Sequence, residues 1–434
     1  MLAACLGFFI AFAFILFQIP IATALAITGF GGYVLLNGWT PALSMVATIT
    51  KDSTLAYSLI VLPLFVLMGN LVAGAGISGD LFRAAQAFIG RRRGGLAMAT
   101  VVASGGFGAI CGSSVATAAT MGKVAIPSMR KLGYGDSLSA AAVAAGGTLG
   151  ILIPPSVIMV VYGVATQTHI GMLFAAGIVP GIIAVTGYVL AVKWSVWRDP
   201  SVAPLADGKE PVNKLALLRT LWPVALIFGV VMGGIYGGFF TSVEASGIGA
   251  MAAFVFALTH HSLKLKDIYA ILVDTARTSA VMFAIILGAA LFGEFVNLTG
   301  VHEGLLQVVQ ESGLPPFGII LLMMVLYIVL GMVLESLSMI LLTVPIFFPI
   351  VMALGYDPVW FGILVVMVVE IGLITPPIGV NLFVIRSVMS DIPMMTVVRG
   401  VTPFIVADVL RILLIAAVPT LSLWLPNLLF KSAA

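Results

Sequence analysis

Two stretches of this chain, 222 positions apart, carry the same helix-breaking residues at the same spacings. The first runs from Ser114 through Pro127, Leu132-Gly133-Tyr134 and Gly150 to Pro154-Pro155. The second runs from Ser336 through Pro349, Leu354-Gly355-Tyr356 and Gly372 to Pro376-Pro377, without a gap. Apolar helices resemble one another by chance, but shared Gly and Pro positions do not arise so easily. Each copy interrupts an apolar segment, where freed backbone groups are costly unless they line a cavity or bind something. Paired broken helices in the two halves of a membrane chain point to the binding site of a secondary transporter.

The rest of the chain is too apolar for water. Hydrophobic residues make up 61% of its 434 residues and charged ones 9%, against roughly 25% charged in a soluble domain. Apolar runs place crossings at roughly 2–17, 20–36, 55–73, 137–166, 171–192, 216–237, 243–259, 269–292, 358–384 and 401–424. A single helix from Leu2 to Leu36 would reach about 52 Å, so Gln18-Ile19-Pro20 is read as a break. No basic region precedes this run, so a cleavable signal is not expected. Cys5 and Cys111 lie in apolar or Gly-rich surroundings, which argues against a disulfide framework. The net charge of +3 is spread over loops rather than gathered on one face, which excludes a nucleic-acid surface.

Those loop charges orient the chain. Arg83, Arg91-Arg92-Arg93, Arg130-Lys131, Lys193, Arg198, Lys209, Lys214, Arg219, Lys264, Lys266, Arg386 and Arg399 fall on one side, read as cytoplasmic. Loops near 37–54, 167–170, 238–242, 297–316 and 355–357 lie opposite and hold Lys51 alone. Residues 130–135 and their counterparts 352–357 come out on different sides, so the repeats are inverted. Residues 1–196 are expected to form the first repeat, 197–215 a polar cytoplasmic linker and 216–434 the second repeat.

Within each repeat two elements carry chemistry. Segment 94–131 holds Gly105-Gly106, Gly108, Gly112, Ser113-Ser114 and Thr117, and each interior Gly costs a helix about 1 kcal/mol. A re-entrant hairpin with its tip at Gly112-Ser113 explains that density. Its counterpart, 317–354, has its tip at Gly331 to Ser338 and includes Glu335. The second element is a helix broken at Pro-Pro, over 137–166 and 358–384. Consecutive prolines unwind the helix and free carbonyls, which suit a hard cation, whereas half-helix N-termini attract anions. Thr148, Thr375 and Gly379 flank these breaks beside an anion placed between the tips with Ser113 and Ser114.

Other polar residues read as structural. Asp408 and Arg411 are spaced to pair, as are Asp274 and Arg277 near a cytoplasmic helix end. Glu370, opposite Thr148 in the repeat, is left between a site role and a structural one, as is Glu335. Glu244 and Glu294 read as solvated or subunit-facing, and His260-His261 has no neighbouring metal ligands. The sequence holds no nucleotide-binding loop, zinc spacing or nucleophile with a base, so transport energy must come from an ion gradient or a partner.

The runs GGFGAICGSSVATAATMGKVAIPSM, GGTLGILIPPSVIMVVYG and EIGLITPPIGVNLFV resemble the large membrane subunit of tripartite ATP-independent periplasmic (TRAP) transporters, and the resemblance spans essentially the whole chain. It implies an all-helical inverted-repeat transporter in the bacterial inner membrane, with a transport domain moving elevator-like against a scaffold. It also implies coupling to sodium, a separate small four-helix membrane subunit, and a periplasmic protein that delivers an organic anion. Carried over residue by residue, the resemblance puts one sodium site at Gly112, Ser113, Ser114, Thr117, Gly150, Pro154 and Pro155. It puts the other at Glu335, Ser336, Ser338, Thr375, Pro376, Pro377 and Asn381. The substrate is left open among C4-dicarboxylates, sialic acids, other sugar acids and keto acids. The rivals are a stand-alone sodium/divalent-anion symporter and an intramembrane enzyme using Glu335 or Asp408.

Overall fold

A computed structural model describes residues 2–90, 92–204, 220–260 and 263–430. Arg91, Lys209, Lys214, Arg219, His261 and the linker from 205 onward lie outside the described residues. The described residues are helical almost throughout, and seven of the helices are long and apolar enough to cross a membrane. Shorter apolar helices accompany them, because Pro and Gly cut several runs into half-length pieces.

Helix bounds repeat at the offset first seen in the sequence. The hairpin arm α7 (Ser114–Lys131) and helix α8 (Asp136–Leu152), shifted by 222, coincide with α16 (Ser336–Ala353) and α17 (Pro358–Ile374). The leading arms are α6 (Gly95–Cys111) and α15 (Pro316–Gly331). After the breaks come the half-helices α9 (Val157–Thr166) and α18 (Val380–Val388), then the long α10 (Ile170–Arg198) and α19 (Met394–Ala417). Both Pro-Pro bonds, 154–155 and 376–377, are cis. Between the hairpins run the α8–α9 crossing, α10, α11 (Trp222–Tyr236), α12 (Ser242–His260) and α13 (Leu265–Leu298), an odd number, so the hairpins enter from opposite faces.

Three expectations need correction. The loop expected near 37–54 is a helix, α3 (Trp39–Leu55). The loops after 73 and 297 hold amphipathic helices, α5 (Ile77–Ile89) and α14 (Val301–Glu311), at equivalent places in the repeats. Apolar content alone hid them, because their polar faces made them look like connections. The segment expected at 401–424 is divided: α19 ends at Ala417 and α20 (Thr420–Phe430) follows, with Pro419 unable to continue the ladder.

The helices pack in two bodies. A frame gathers α1 (Leu2–Leu16), α2 (Ile21–Asn37), α4 (Val61–Gly74), α11, α12 and α13. Within it Gly29 lets α2 meet the backbone of α13, since a methyl there would stand 2.5 Å from the Phe292 nitrogen. The hairpin body holds α6 to α10 and α15 to α20. Its helix α17 is buried along its whole length, from Val359 to Ile374. In this body each trailing arm packs on the broken helix of its own repeat and on the half-helix of the other, α7 on α8 and α18, α16 on α17 and α9.

Glycine sets the depth of those crossings. A methyl on Gly372 would stand 2.7 Å from the Gly331 backbone, and one on Gly108 would stand 2.5 Å from the Gly150 Cα. Neither backbone can rotate aside as a side chain would. Gly372→Ala is therefore expected to cost about 1–3 kcal/mol as an overpacked core site, read as a lowered unfolding temperature in detergent. Gly293→Ala, where a methyl meets open space, is expected to be neutral or stabilising. Equal behaviour of the two variants would contradict this packing.

Candidate functional site

Both hairpin tips reach one cavity of about 830 Å³, between the hairpin body and the frame. Cys111 to Ala116 of the first tip and Glu335 to Ser338 of the second line it, with Ile151 and Val157 from the first broken helix. The frame supplies Pro20 to Thr23, Asn70, Asp274, Arg277 and Thr278. Pro20, Asn70 and Asp274 lie toward the helix ends that the loop charges make cytoplasmic, so the cavity is on that half of the protein.

The first tip is built by a left-handed glycine. Gly112, at φ 64°, ends α6, and Ser113 turns the chain and caps α7 by accepting from the Ala116 N–H at 3.3 Å. The tip rests on the unwound stretch: a methyl on Gly112 would stand 3.2 Å from the Pro155 carbonyl oxygen. A methyl on Gly150 would stand 2.9 Å from Thr117 Oγ1 and 3.2 Å from the Ser113 carbonyl oxygen. Thr117 is fully buried, and beyond its contact with the Cys111 thiol its hydroxyl has no hydrogen-bond partner among the described residues. Ser113, Thr117 and Pro155 thus place three oxygens around Gly112 and Gly150. Beyond the break, Ser156 caps α9 by accepting from the Met159 N–H at 3.3 Å, and its own hydroxyl donates to the Ile151 carbonyl at 2.6 Å. At the base of this hairpin, Arg130 meets Asp136 and Asp391, each at 2.7 Å. The hydrogen bond from Arg130 holds the Asp391 carboxyl below the usual range.

The second tip follows the same backbone plan with different polar atoms. Glu335, equivalent to Ser113, caps α16: its Oε2 accepts from the Leu337 N–H at 3.2 Å and the Ser338 N–H at 3.4 Å. Ser336 also lines the cavity. Met339 occupies the place of Thr117, so no hydroxyl points at the Gly331–Gly372 crossing from there. Thr375 Oγ1 donates to the Ile371 carbonyl at 2.5 Å, within its own helix.

Several residues are grouped differently by the structure than by the sequence. Asn381, assigned by resemblance to the second set, is buried against the first: its Nδ2 donates to Ser114 Oγ at 2.7 Å and to the Ala144 carbonyl at 3.0 Å. Only the half-helix exchange between repeats brings it there. Of the residues placed around the anion, Ser113 and Ser114 line the cavity, whereas Thr148, Thr375 and Gly379 do not. Thr148 is buried behind it, 3.0 Å from the Tyr188 hydroxyl. Pro376 and Pro377 lie outside the cavity too, so the second break does not open into it.

The sequence underrated Asp274 and Arg277. Both line the cavity, and no ion pair joins them to each other among the described residues. The signal was available, since Asp274 and Arg277 sit well inside a 34-residue helix whose other charges, Lys266, Asp267 and Glu294, lie nearer its ends. Asp408 and Arg411 do pair, at 2.8 Å, but Arg411 also meets Glu370 at 2.7 Å. Glu370 therefore belongs to that buried group and not to the unwound stretch.

Comparison with known proteins agrees with this architecture. The family model described as "Tripartite ATP-independent periplasmic transporter, DctM component" matches residues 8–421. The chain is 37% identical to a C4-dicarboxylate TRAP transporter large permease protein of Pseudomonas aeruginosa, over 87% of this chain and 88% of the relative. It is 35% identical to a sialic acid TRAP transporter large permease protein of Vibrio cholerae, over 86% and 87% of the two chains. It is 32% identical to an ectoine TRAP transporter large permease protein of Halomonas elongata, over 95% and 96%. These relatives are transport proteins, not enzymes. The crystal structure of the Alcanivorax borkumensis YdaH transporter has a similar fold, with a TM-score of 0.61 at 15% identity over 88% of each chain.

The capping geometry of Glu335 yields a test. Glu335→Ala is expected to lose about 1 kcal/mol of stability, the usual cost of a lost N-cap. Glu335→Ser, which copies the cap at Ser113, is expected to retain most of it. Thermal unfolding in micelles reads both, and an unchanged Glu335→Ala protein would mean that the carboxylate does not hold the helix.

Proposed function

The chain belongs to the DctM component family of tripartite ATP-independent periplasmic transporters, and we propose that it carries a small organic anion inward across the inner membrane together with sodium ions. The observation that carries this reading is the oxygen cluster at the first tip. Thr117 Oγ1 is buried with no oxygen or nitrogen partner among the described residues. The Ser113 carbonyl lies beside Gly150, which Thr117 also faces, and the Pro155 carbonyl beside Gly112. A hard cation takes such oxygens as ligands. Gly112, Ser113, Ser114, Thr117, Gly150, Pro154 and Pro155 would hold one sodium ion. Around the second tip, Glu335, Ser336 and Ser338 offer a carboxylate and hydroxyls for another, with Thr375, Pro376 and Pro377 supplying backbone. Asn381 acts with the first group, through Ser114.

The tips differ in what they offer an anion. The first turn of α7 opens on the cavity with a neutral serine cap, and a helix N-terminus of this kind attracts negative charge. At α16 the carboxylate of Glu335 already occupies that place. The substrate's acid group therefore docks at Ser113 and Ser114. A C4-dicarboxylate or a sugar acid fits this chemistry, and the relatives are named for substrates that include C4-dicarboxylates and sialic acid. The hairpin body moves against the frame in an elevator-like step. A periplasmic binding protein delivers the anion, and a small four-helix membrane subunit completes the complex.

Uptake by proteoliposomes tests the reading. Transport is expected to require inward sodium, the small subunit and the loaded binding protein. Thr117→Val, which keeps the shape and removes one oxygen, is expected to raise the sodium concentration for half-maximal uptake about tenfold, or ~1.4 kcal/mol. Thr100→Val is the control, because Thr100 is equally buried but spends its hydroxyl on the Leu96 carbonyl at 2.8 Å. Full-rate uptake by this chain alone, without sodium, would refute the proposal.

A further inference from the structure

Behind the cavity lies a charged cluster that neither the cavity nor the tips use. Glu370 of α17 and Asp408 and Arg411 of α19 meet in the interior, with side chains between 0% and 3% exposed. Arg411 Nη2 donates to Glu370 Oε2 at 2.7 Å and stands 2.8 Å from Asp408 Oδ1. From α10 the Tyr188 hydroxyl donates to Asp408 Oδ2 at 2.7 Å, and from α8 Thr148 lies 3.0 Å from that hydroxyl. Other titratable side chains beside α17 are Tyr162, Tyr327, Tyr356, which stacks on Trp360, and Asp357, which caps its N-terminus, all away from Glu370. Tyr162 donates to the Pro358 carbonyl at 2.7 Å, at the far end of the helix, and Tyr327 packs on Phe347.

Two carboxylates therefore share one guanidinium. Fully ionised, the group would carry one uncompensated negative charge in the interior, which a protein avoids by neutralising the group or adding a cation. An apolar groove between α10 and α19, lined by residues such as Leu190, Trp194 and Leu410, reaches Arg411 and adds no counter-charge. The contacts also say where a proton fits. Asp408 Oδ2 accepts from Tyr188, and Asp408 Oδ1, though not hydrogen-bonded, lies 2.8 Å from Arg411 Nη2. Glu370 Oε1 is buried with neither a hydrogen bond nor an ion-pair contact among the described residues. A proton there displaces no existing contact.

We propose that this cluster is a proton-binding site, in which Glu370 is held as the neutral acid while Asp408 and Arg411 form the ion pair. The proton sits apart from the proposed sodium clusters and does not depend on that assignment. It lets α8, α10, α17 and α19 share a buried polar contact without a net charge.

Infrared spectroscopy of the purified protein in micelles tests this directly. At neutral pH the wild type is expected to show a protonated-carboxyl C=O band, equally with and without sodium. Labelling with carboxyl-¹³C glutamate is expected to shift the band and labelling with ¹³C aspartate to leave it in place, which requires no variant to fold. Glu370→Gln is expected to abolish the band, and Glu335→Gln to retain it. Absence of the band, its shift with labelled aspartate, or its persistence in Glu370→Gln would overturn the proposal. A band that appears only when sodium is withdrawn would also overturn it, and would make the cluster a cation site.

Discussion

The structure hangs on two places where backbone touches backbone without a side chain between. Gly108 meets Gly150, and Gly331 meets Gly372. In lipid, helices gain little by hiding apolar surface from one another, so close approach through small residues supplies much of their attraction. Each crossing also fixes a distance along the chain. The Pro-Pro pair follows four residues after the second glycine in both copies, at 154 and 376. One helical turn past the contact, the ladder stops and its carbonyls come free. That spacing puts the Pro155 carbonyl against the left-handed Gly112 at the hairpin tip. With larger side chains at the crossing, tip and break would no longer meet.

The backbone is duplicated more faithfully than the polar atoms. Equivalent positions pair Ser113 with Glu335, Thr117 with Met339, Thr148 with Glu370 and Met159 with Asn381. The first copy keeps a bare hydroxyl and a neutral cap near its tip. The second replaces the hydroxyl with a thioether and the cap with a carboxylate. Two halves of one geometry thus present the cavity with different charge, which an asymmetric ligand requires and a perfect duplication would not provide. Asn381 then ties the halves together, reaching across to Ser114.

Much of this was legible in the sequence for a definable reason. Gly and Pro act through the backbone, so their positions survive in a linear reading, and the hairpins, breaks and repeat offset follow from them. Hydrophobicity marked most of the apolar helices as well, though not the break at Pro419. Two kinds of feature did not show. Amphipathic helices such as α5 and α14 are half polar, and a reading tuned to apolar runs passes over them as loops. Pairings between distant helices were the second kind. Asp408 and Arg411 are three residues apart and readable as a pair, but Glu370 joins them from another helix. Asp274 and Arg277 have the same spacing and do not pair, because the side chains face a cavity that only the assembled bodies create.

The distribution of polar contacts bears on how the two bodies meet. Four long-range side-chain bonds each stay within one body: Asn70 to Thr275 at 3.0 Å lies inside the frame, while Asn381 to Ser114, Tyr188 to Asp408 and Arg411 to Glu370 lie inside the hairpin body. The charges at the seam, Asp274, Arg277 and Glu335, face the cavity instead of bridging it. A buried ion pair across the seam would have to be broken with both partners desolvated, at several kcal/mol. Apolar contact can be exchanged for similar contact one turn further along, since lipid and side chains are alike in polarity. A seam with no buried ion pair across it, among the described residues, is compatible with the sliding step proposed above, because nothing charged need be desolvated for one body to shift against the other.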